Sequence, residues 1–169
     1  MKGGEHGKAR REDRSSDGRA SGIGEATVRR FVAEGASVAF CDRDGERGQR
    51  VADELEIAGA KAAFTQADVG GEAACLAFVN SAAQKFGRLD ILINNAGIRK
   101  YEKVDEASTA SWNEILNVNL MSYVFCAKAA IPLMRRNKGG AVVNVASVRS
   151  VVARGGNFSM TRPRPRSRA

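Results

Sequence analysis

The sequence predicts an α/β fold with a doubly wound parallel sheet, and three observations predict it. Short apolar strands alternate with amphipathic helices at near-regular spacing from about residue 22 to residue 147. A glycine-rich stretch, Asp17 to Gly24, has the spacing of a tight turn that opens a helix. The run Leu89–Ile93 is almost continuously apolar, as in a parallel strand covered on both faces.

Helices and strands follow this alternation in order. Helical spacing of apolar residues predicts helices over 22–35, 44–58 and 72–86, which end at Gly35, Gly59 and Gly87. Apolar runs predict strands over 37–41 and 61–69, between these helices. A further apolar run, Ala141 to Val145, predicts another buried strand.

A long helix is predicted between the last two strands. Ser111 is a candidate N-cap, with Glu114 three positions later as the partner in a capping box. The helix should reach about Asn137, and Pro132 should kink or divide it. Two consecutive glycines, Gly139 and Gly140, should end it.

Charge separates the two ends of the chain from its body. The formal net charge is +8, but residues 21–148 hold 15 basic and 15 acidic side chains. Residues 1–17 are almost without apolar side chains and should form a disordered polar segment, and residues 151–169 should form a disordered Arg/Pro-rich tail. The folded part of the chain, a partial α/β domain, is therefore expected over residues 18–150. Two solvated tails explain the basicity, so a nucleic-acid surface is not expected.

Cysteine and histidine usage predicts neither disulfides nor a metal site. The three cysteines, Cys41, Cys75 and Cys126, are widely spaced in apolar stretches, as expected for small buried hydrophobic residues in a reducing compartment. The only histidine is His6, in the polar N-terminal segment. We see no signal peptide and no apolar run near the roughly 20 residues needed to span a bilayer. These features predict a cytoplasmic protein without a membrane partner.

The glycine turn and one acidic residue together predict a dinucleotide site. Glycines at this spacing let the backbone approach a phosphate at a helix N-terminus. Asp42 follows the next strand, 18 residues after Gly24, where a carboxylate can accept hydrogen bonds from a ribose diol and repel a 2′-phosphate. This favours NAD over NADP, although the neighbouring Arg43 weakens the preference. The alternative is that Asp42 is an ordinary turn residue at the end of a strand and does not bind a ribose.

These motifs, with others in the same order, give the chain a specific resemblance. Residues 18–150 resemble the N-terminal two-thirds of the short-chain dehydrogenase/reductase family, whose fold is a Rossmann-like sheet. Asn94 to Gly97 matches its N-N-A-G motif after an apolar strand, and Asp68-Val69 matches its Asp-Val pair. The resemblance assigns these residues to the cofactor site: Gly18, Gly22, Ile23, Gly24, Asp42, Asp68, Val69, Asn95, Ala96 and Gly97.

The resemblance also implies an activity. The family transfers hydride between NAD(P) and an alcohol or carbonyl substrate. Ser147 matches the serine that holds the carbonyl oxygen, and Asn119 matches the asparagine that holds a water in the proton relay. The long helix after Ser111 corresponds to the family's usual oligomer face, which implies a homo- or hetero-oligomer.

Two departures from the family pattern argue against a working enzyme. The place of the family's first, central strand is taken by Arg11 to Ser16, six polar residues that cannot form a buried strand. Asp17 replaces the threonine of the glycine turn and puts a negative charge beside the pyrophosphate. The family's C-terminal strands have no counterpart either. We therefore expect an incomplete sheet and cofactor binding that is weak or lost.

The family's catalytic Tyr-x-x-x-Lys motif has no counterpart in these 169 residues. The two tyrosines, Tyr101 and Tyr123, both precede Ser147, and neither has a lysine four positions later. The sequence thus predicts an inactive relative of this family. Three alternatives stay open: a non-catalytic module that binds nucleotide weakly or pairs with intact members, a frameshifted or degraded gene product, and a basic tail that binds RNA or membrane. The substrate is not predicted.

Overall fold

The computed structural model describes residues 22–147. The segments expected to be disordered, the Arg11–Ser16 stretch and Gly18 lie outside the described residues. The described elements, in chain order, are α1 (Gly22–Ala33), β1 (Val38–Asp42), α2 (Gly45–Ile57), β2 (Ala62–Gln66), α3 (Glu72–Phe86), β3 (Ile91–Asn94), α4 (Thr109–Leu116), a π-helical turn (Asn117–Met121), α5 (Ser122–Arg136) and β4 (Ala141–Asn144).

The described strands form two parallel pairs with helices packed on them, which confirms the α/β fold class. β1 pairs with β2 in a register that runs from Val38 opposite Ala62 to Asp42 opposite Gln66. β3 pairs with β4 in a register that runs from Ile91 opposite Ala141 to Asn94 opposite Asn144. Within residues 22–147, no backbone ladder joins the two pairs.

Two main clusters of buried side chains hold these layers together. The larger one packs α3 and α5 against β3 and includes the three cysteines. The smaller one packs α1 and α2 against β1, around Phe40, which is fully buried. The Phe40 ring lies 5.4 Å from the Phe64 ring of β2, measured between centroids. Because the larger cluster also contains Cys41 of β1, both strand pairs contribute to it.

Capping side chains and glycines set the helix ends much as the sequence predicts. The Asp44 side chain accepts a hydrogen bond from the Arg47 N–H at 3.0 Å and caps α2. α3 ends at Gly87, whose φ of 75° lies in the left-handed region that glycine adopts without strain.

The long helix differs from the prediction at its start. Ser108, not Ser111, is the N-cap: its extended backbone precedes the helix, and its Oγ accepts a hydrogen bond from the Ser111 N–H at 3.1 Å. Ser111 lies inside the first turn, where its hydroxyl donates to Glu102 at 3.0 Å. The capping box with Glu114 was therefore wrong, because the serine three residues earlier takes the cap.

The helix is interrupted at a different place from the one predicted. Pro132 lies within α5, which continues to Arg136. The irregular turn lies at Asn117–Met121, about three turns earlier, where the backbone adopts π-helical bonding. Such turns add a residue locally and often occur at functional sites.

By length and composition, Thr109–Arg136 could cross a bilayer, contrary to the expectation that no such segment exists. In the structure this 28-residue helix packs on the core through Cys126, Ala130 and Met134, which are buried. The core helix of a soluble protein passes the same test.

Three strands also differ from the prediction. β2 ends at Gln66 rather than Val69, because Asp68 turns the chain by accepting the Gly70 N–H at 2.9 Å. β4 was predicted to be buried, but Val142 and Val143 are 40% and 46% exposed. β3 is covered only in part, since Ile91 is exposed although Leu92 is buried. In the described part of the chain, β4 has one strand neighbour, β3, so apolar sequence alone does not bury it.

Candidate functional site

The carboxyl ends of β1 and β3 open into one cleft. Asp42 and Arg43 line it from β1, and Asn95 and Ala96 line it from β3. The enclosed volume is about 30 Å³, enough for ordered water but not for a base, so a larger ligand would lie across the mouth. Ligands of open α/β sheets bind at this edge, beyond the carboxyl ends of the strands.

Asp42 is the buried acid of this cleft. Only 7% of its surface is exposed, and its Oδ1 accepts a hydrogen bond from the Asp44 N–H at 3.0 Å. The bond fixes the carboxylate at the point where the chain leaves β1 for α2. Arg43 beside it is exposed. The neighbouring turn is held in place because the Gln66 side chain donates to the Arg43 carbonyl at 3.0 Å.

Asp68 and Val69 form the floor on the β2 side of the cleft. The Asp68 carboxylate is exposed and accepts the Gly70 N–H. Val69 is partly buried and packs against the apolar cluster of Ile98 and Val118. An exposed carboxylate above an apolar floor suits the edge of a purine ring.

The N-terminus of α1 provides backbone N–H groups at its first turn. Gly22 has a φ of 55°, which favours glycine, and Gly24 is buried. Ile23 is exposed. This end of α1 is the only part of the predicted glycine turn within the described residues.

Asn119 lies in the π-helical turn and supports the loop that follows β3. Its Oδ1 accepts the Ile98 N–H at 2.7 Å, and its Nδ2 donates to the Ile98 carbonyl at 2.9 Å. A Cβ on Gly97 would stand 3.6 Å from Asn119 Oδ1, an ordinary contact. The structure therefore brings Asn119 together with the Asn95–Gly97 segment.

A pair of asparagines that sequence reasoning missed joins the ends of β3 and β4. Asn94 Nδ2 donates to Asn144 Oδ1 at 2.8 Å, and the Val145 N–H donates to the Asn94 carbonyl at 2.8 Å. Asn94 is buried. The available signal was that two apolar strands, Ile91–Asn94 and Ala141–Asn144, both end in asparagine.

Tyr123 is a second missed residue. Its hydroxyl donates to the Val145 carbonyl at 2.9 Å and lies 3.5 Å from the Ala96 carbonyl. It thereby links the loops after β3 and β4. Ser147 follows two residues beyond Val145 and is exposed. Through Tyr123, the structure thus ties the segment leading to Ser147 to the same cleft.

The buried thiol of Cys75 is kept protonated by its surroundings. Cys75 Sγ donates to the Val69 carbonyl at 3.2 Å. A hydrogen bond with the Cys126 thiol, followed by burial, raises the pKa of Cys75 well above its ordinary value. Among the described residues, no cluster of three or more His, Cys, Asp or Glu side chains could hold a metal ion.

The donor set of the cleft fits the nucleoside half of a dinucleotide. The Asp42 carboxylate suits a ribose diol and Asp68 beside Val69 suits a base, while the N-terminus of α1, which suits a phosphate, lines the neighbouring cavity through Gly24. Asp42 and Asp68 lie in two consecutive strand-to-helix connections, from β1 to α2 and from β2 to α3, so their grouping follows from the parallel topology. Among the described residues that line the cleft, Tyr123 is the one tyrosine, and no lysine is among them.

Comparison with known proteins identifies the family of the chain. The family model described as short chain dehydrogenase matches residues 17–159. The BbsD subunit of (2S)-[(R)-hydroxy(phenyl)methyl]succinyl-CoA dehydrogenase from Thauera aromatica is 38% identical over 130 residues, which are 77% of this chain and 52% of that protein. The chain thus spans about half the length of such curated relatives.

Solved structures agree with the sequence relatives. A mutant short-chain dehydrogenase/reductase from Serratia marcescens superposes with a TM-score of 0.78 at 33% identity, over 83% of this chain and 57% of that one. A 7α-hydroxysteroid dehydrogenase, solved with NADH and 7-oxo glycochenodeoxycholic acid, superposes with a TM-score of 0.75 at 28% identity, over 79% of this chain and 52% of that one.

Proposed function

Because the chain belongs to the short-chain dehydrogenase family, we propose that residues 22–147 form the nucleotide half of an NAD(P) site. We further propose that the 169-residue chain binds NAD weakly and does not transfer hydride. Members of this oxidoreductase family bind NAD(P) and act on small-molecule alcohols and carbonyls. The convergence of Asp42, Asp68, Asn95 and Ala96 on one cleft carries the proposal.

Each candidate site residue has a role in this proposal. Asp42 accepts hydrogen bonds from the adenosine ribose, Asp68 from the adenine amino group, and the first N–H groups of α1 bind the pyrophosphate together with Gly18, Gly22, Ile23 and Gly24. Asn95, Ala96 and Gly97 line the path toward the nicotinamide. When bound, the nicotinamide would donate or accept the hydride. Ser147 would hold the carbonyl oxygen, and Asn119 would keep the loop after β3 in position.

The carboxylate of Asp42 favours NAD over NADP. A 2′-phosphate would meet a negative charge that is held in place by the Asp44 N–H. The exposed Arg43 next to it can attract a phosphate, which reduces the difference in affinity between NAD and NADP. We expect NADH to bind more tightly than NADPH, and Asp42→Ala to remove most of this preference. Asp53→Ala, at an exposed aspartate on α2, is the matched control.

Loss of hydride transfer follows from the missing proton donor. The chain has no Tyr-x-x-x-Lys motif, and a serine hydroxyl is a poor acid near neutral pH. Removal of a general acid typically lowers a rate by about 10²–10⁴. The Tyr123 hydroxyl does not replace it, since it is committed to the Val145 carbonyl.

A turnover assay tests this proposal. The purified chain is incubated with NADH and a panel of ketones, and with NAD and a panel of alcohols, while the absorbance of the reduced nicotinamide is followed. An intact family member serves as the positive control. We expect no rate above the protein-free blank. Turnover that scales with protein concentration and is abolished by Ser147→Ala would contradict it.

A second candidate function is association with another protein of the same family. Three exposed apolar side chains, Leu120, Val124 and Ile131, lie on one face of the long helix and are 50%, 50% and 40% exposed. A homo- or hetero-oligomer would cover them. Light scattering after size exclusion tests this: Val124→Lys should shift an oligomer toward monomer, whereas Arg136→Ala, at an exposed position of the same helix away from this face, should not.

The expected setting is the cytoplasm. Members of this family are typically soluble, and the long apolar helix is packed on the core by its buried face. Cell fractionation of a tagged chain tests the expectation, and recovery in the membrane fraction after a carbonate wash would contradict it.

A further inference from the structure

The peptide group between Val69 and Gly70 is held on both of its sides at the edge of the cleft. Its carbonyl oxygen accepts a hydrogen bond from Cys75 Sγ at 3.2 Å. Its N–H donates to Asp68 Oδ1 at 2.9 Å. Because a trans peptide group is planar, its carbonyl and its N–H point in opposite directions and rotate together. One rigid unit therefore connects a thiol of α3 to a carboxylate of the cleft.

The orientation of the Asp68 carboxylate depends on this unit. Asp68 is exposed, so side-chain packing does not hold its carboxylate in one orientation. With Oδ1 engaged by the Gly70 N–H, a base amino group would be accepted by Oδ2, the second oxygen of the same carboxylate. A rotation of the Val69–Gly70 peptide group would break both bonds at once and release the carboxylate.

The Cys75 thiol is a fixed donor because the core surrounds it. Cys75 is fully buried, in the first turn of α3. Its backbone N–H donates to the Gly71 carbonyl at 3.2 Å, and its side chain makes a hydrogen bond with the Cys126 thiol of α5. The position of the Val69 carbonyl is thus set from the helix layer and not from solvent.

Apolar packing holds the same loop in place but does not orient it. Val69 packs against the cluster of Ile98 and Val118, and a Cβ on Gly70 would stand 3.3 Å from Val118 Cγ2. Apolar contact is non-directional, so it does not decide which way the Val69–Gly70 peptide group faces. A hydrogen bond is directional, and the bond from Cys75 selects the face.

We propose that Cys75 is a positioning residue for base recognition: through the Val69–Gly70 peptide group, its thiol holds the Asp68 carboxylate in the orientation that accepts the amino group of adenine. This inference deepens the proposed function and rests on it, since it assigns a source of base preference within the same nucleotide site. Cys75 acts through the loop and not by touching the nucleotide, because its side chain is fully buried.

Two dinucleotides that differ at one group of the base test the proposal. NAD carries the adenine amino group, whereas nicotinamide hypoxanthine dinucleotide carries a carbonyl oxygen there and has no proton to donate at that atom. In NMR titrations of the full chain, we expect NAD to bind about fivefold more tightly. Cys75→Ala should reduce this preference to about twofold or less, because the peptide group loses its donor. Cys75→Ser retains a donor and should restore most of the preference.

A control substitution separates positioning from a general loss of stability. Val79, one turn further along α3, is also buried, so Val79→Ala should destabilise the core but keep the preference for NAD. Hydrogen exchange of the nucleotide-free chain gives a second readout: the Gly70 amide should exchange faster in Cys75→Ala than in Val79→Ala. If Cys75→Ala does not fold, Cys75→Val removes the donor and keeps an apolar side chain in its place.

The outcomes distinguish this inference from the proposed function. If the unsubstituted chain and Cys75→Ala bind with the same preference for NAD, Cys75 does not position the base site, although the nucleotide site stands. An equal loss of preference in Val79→Ala, or unchanged exchange at Gly70 in Cys75→Ala, would also overturn the inference. If the unsubstituted chain binds neither dinucleotide, the proposed function fails and the inference fails with it.

Discussion

The side-chain amide of Asn119 makes two hydrogen bonds with the backbone of Ile98, one to its N–H and one to its carbonyl. This pair connects the π-helical turn in the middle of the long helix to the loop that leaves β3. Because Ile98 is buried, both backbone groups depend on Asn119 for a partner. The asparagine that the sequence suggests as part of a proton relay thus has a structural role in the chain as well.

Replacing Asn119 by alanine should destabilise the protein. Buried donors or acceptors left without a partner cost about 1–3 kcal/mol. We expect the free energy of unfolding to fall by about 2 kcal/mol, as measured by urea denaturation. Asn113→Ala, at an exposed position on α4, is the matched control and should change stability little. Equal effects of the two substitutions would contradict the role assigned to Asn119.

Tyr123 should position the loop that contains Ser147. Tyr123→Phe removes the hydroxyl that donates to the Val145 carbonyl and should cost about 1 kcal/mol. The amide resonances of residues 145–147 should shift in the NMR spectrum. Tyr101→Phe provides the control, because Tyr101 is 51% exposed. Unchanged resonances in Tyr123→Phe would show that the bond does not order this loop.

Gly48 allows α2 to approach β2 closely. A Cβ at this position would lie 2.0 Å from Phe64 Cε2, so the ring or the helix must move. We expect Gly48→Ala to lower the melting temperature and to cost about 1–3 kcal/mol, the usual cost of overpacking. At Gly71 a Cβ would meet nothing within 4 Å, so Gly71→Ala should have a much smaller effect. If Gly48→Ala left the melting temperature unchanged, α2 would not pack as described.

The raised pKa of Cys75 predicts a loss of stability at alkaline pH. In the unfolded chain a thiol loses its proton above about pH 8.5, whereas the hydrogen bond with Cys126 and burial keep Cys75 protonated in the fold. The unfolded state then binds fewer protons, so the free energy of unfolding falls as pH rises, by up to about 1.4 kcal/mol per pH unit for each such thiol.

Urea denaturation between about pH 8 and 9.5, below the titration of tyrosine and lysine, measures this slope. Cys75→Ala should make the free energy of unfolding fall less steeply with pH, whatever the effect of this substitution on stability at neutral pH. An identical slope in the variant would mean that Cys75 titrates in the folded protein as it does in the unfolded chain.

Local signals in the sequence predicted the helices well. The prediction for α3 matches the structure at both ends, because an apolar helical face and the left-handed Gly87 are properties of a few neighbouring residues. The predicted start of the long helix was wrong for a related reason. Ser108 and Ser111 are three residues apart and either could cap, and the contact of Ser111 with Glu102, nine residues earlier, is not visible in a local pattern.

Burial and pairing could not be predicted in the same way. Val142 and Val143 lie in an apolar strand but are exposed, because burial depends on which elements cover a strand. The Asn94–Asn144 bond depends on the register between β3 and β4, which joins residues 50 positions apart. Asp42 directly follows the predicted strand 37–41, whereas Asp68 and Asn95 were assigned by the family resemblance; parallel topology brings all three to one cleft.

An NMR titration of the ¹⁵N-labelled full chain with NAD tests the central claim most directly. We predict saturable chemical-shift changes at Gly22–Gly24, Asp42–Asp44, Asp68–Gly70 and Asn95–Ile98, with a Kd on the order of 1 mM, equal to about −4 kcal/mol. No shift at NAD concentrations well above that value, or shifts confined to residues away from the carboxyl ends of β1 and β3, would contradict the assignment of this cleft as the nucleotide half of an NAD(P) site.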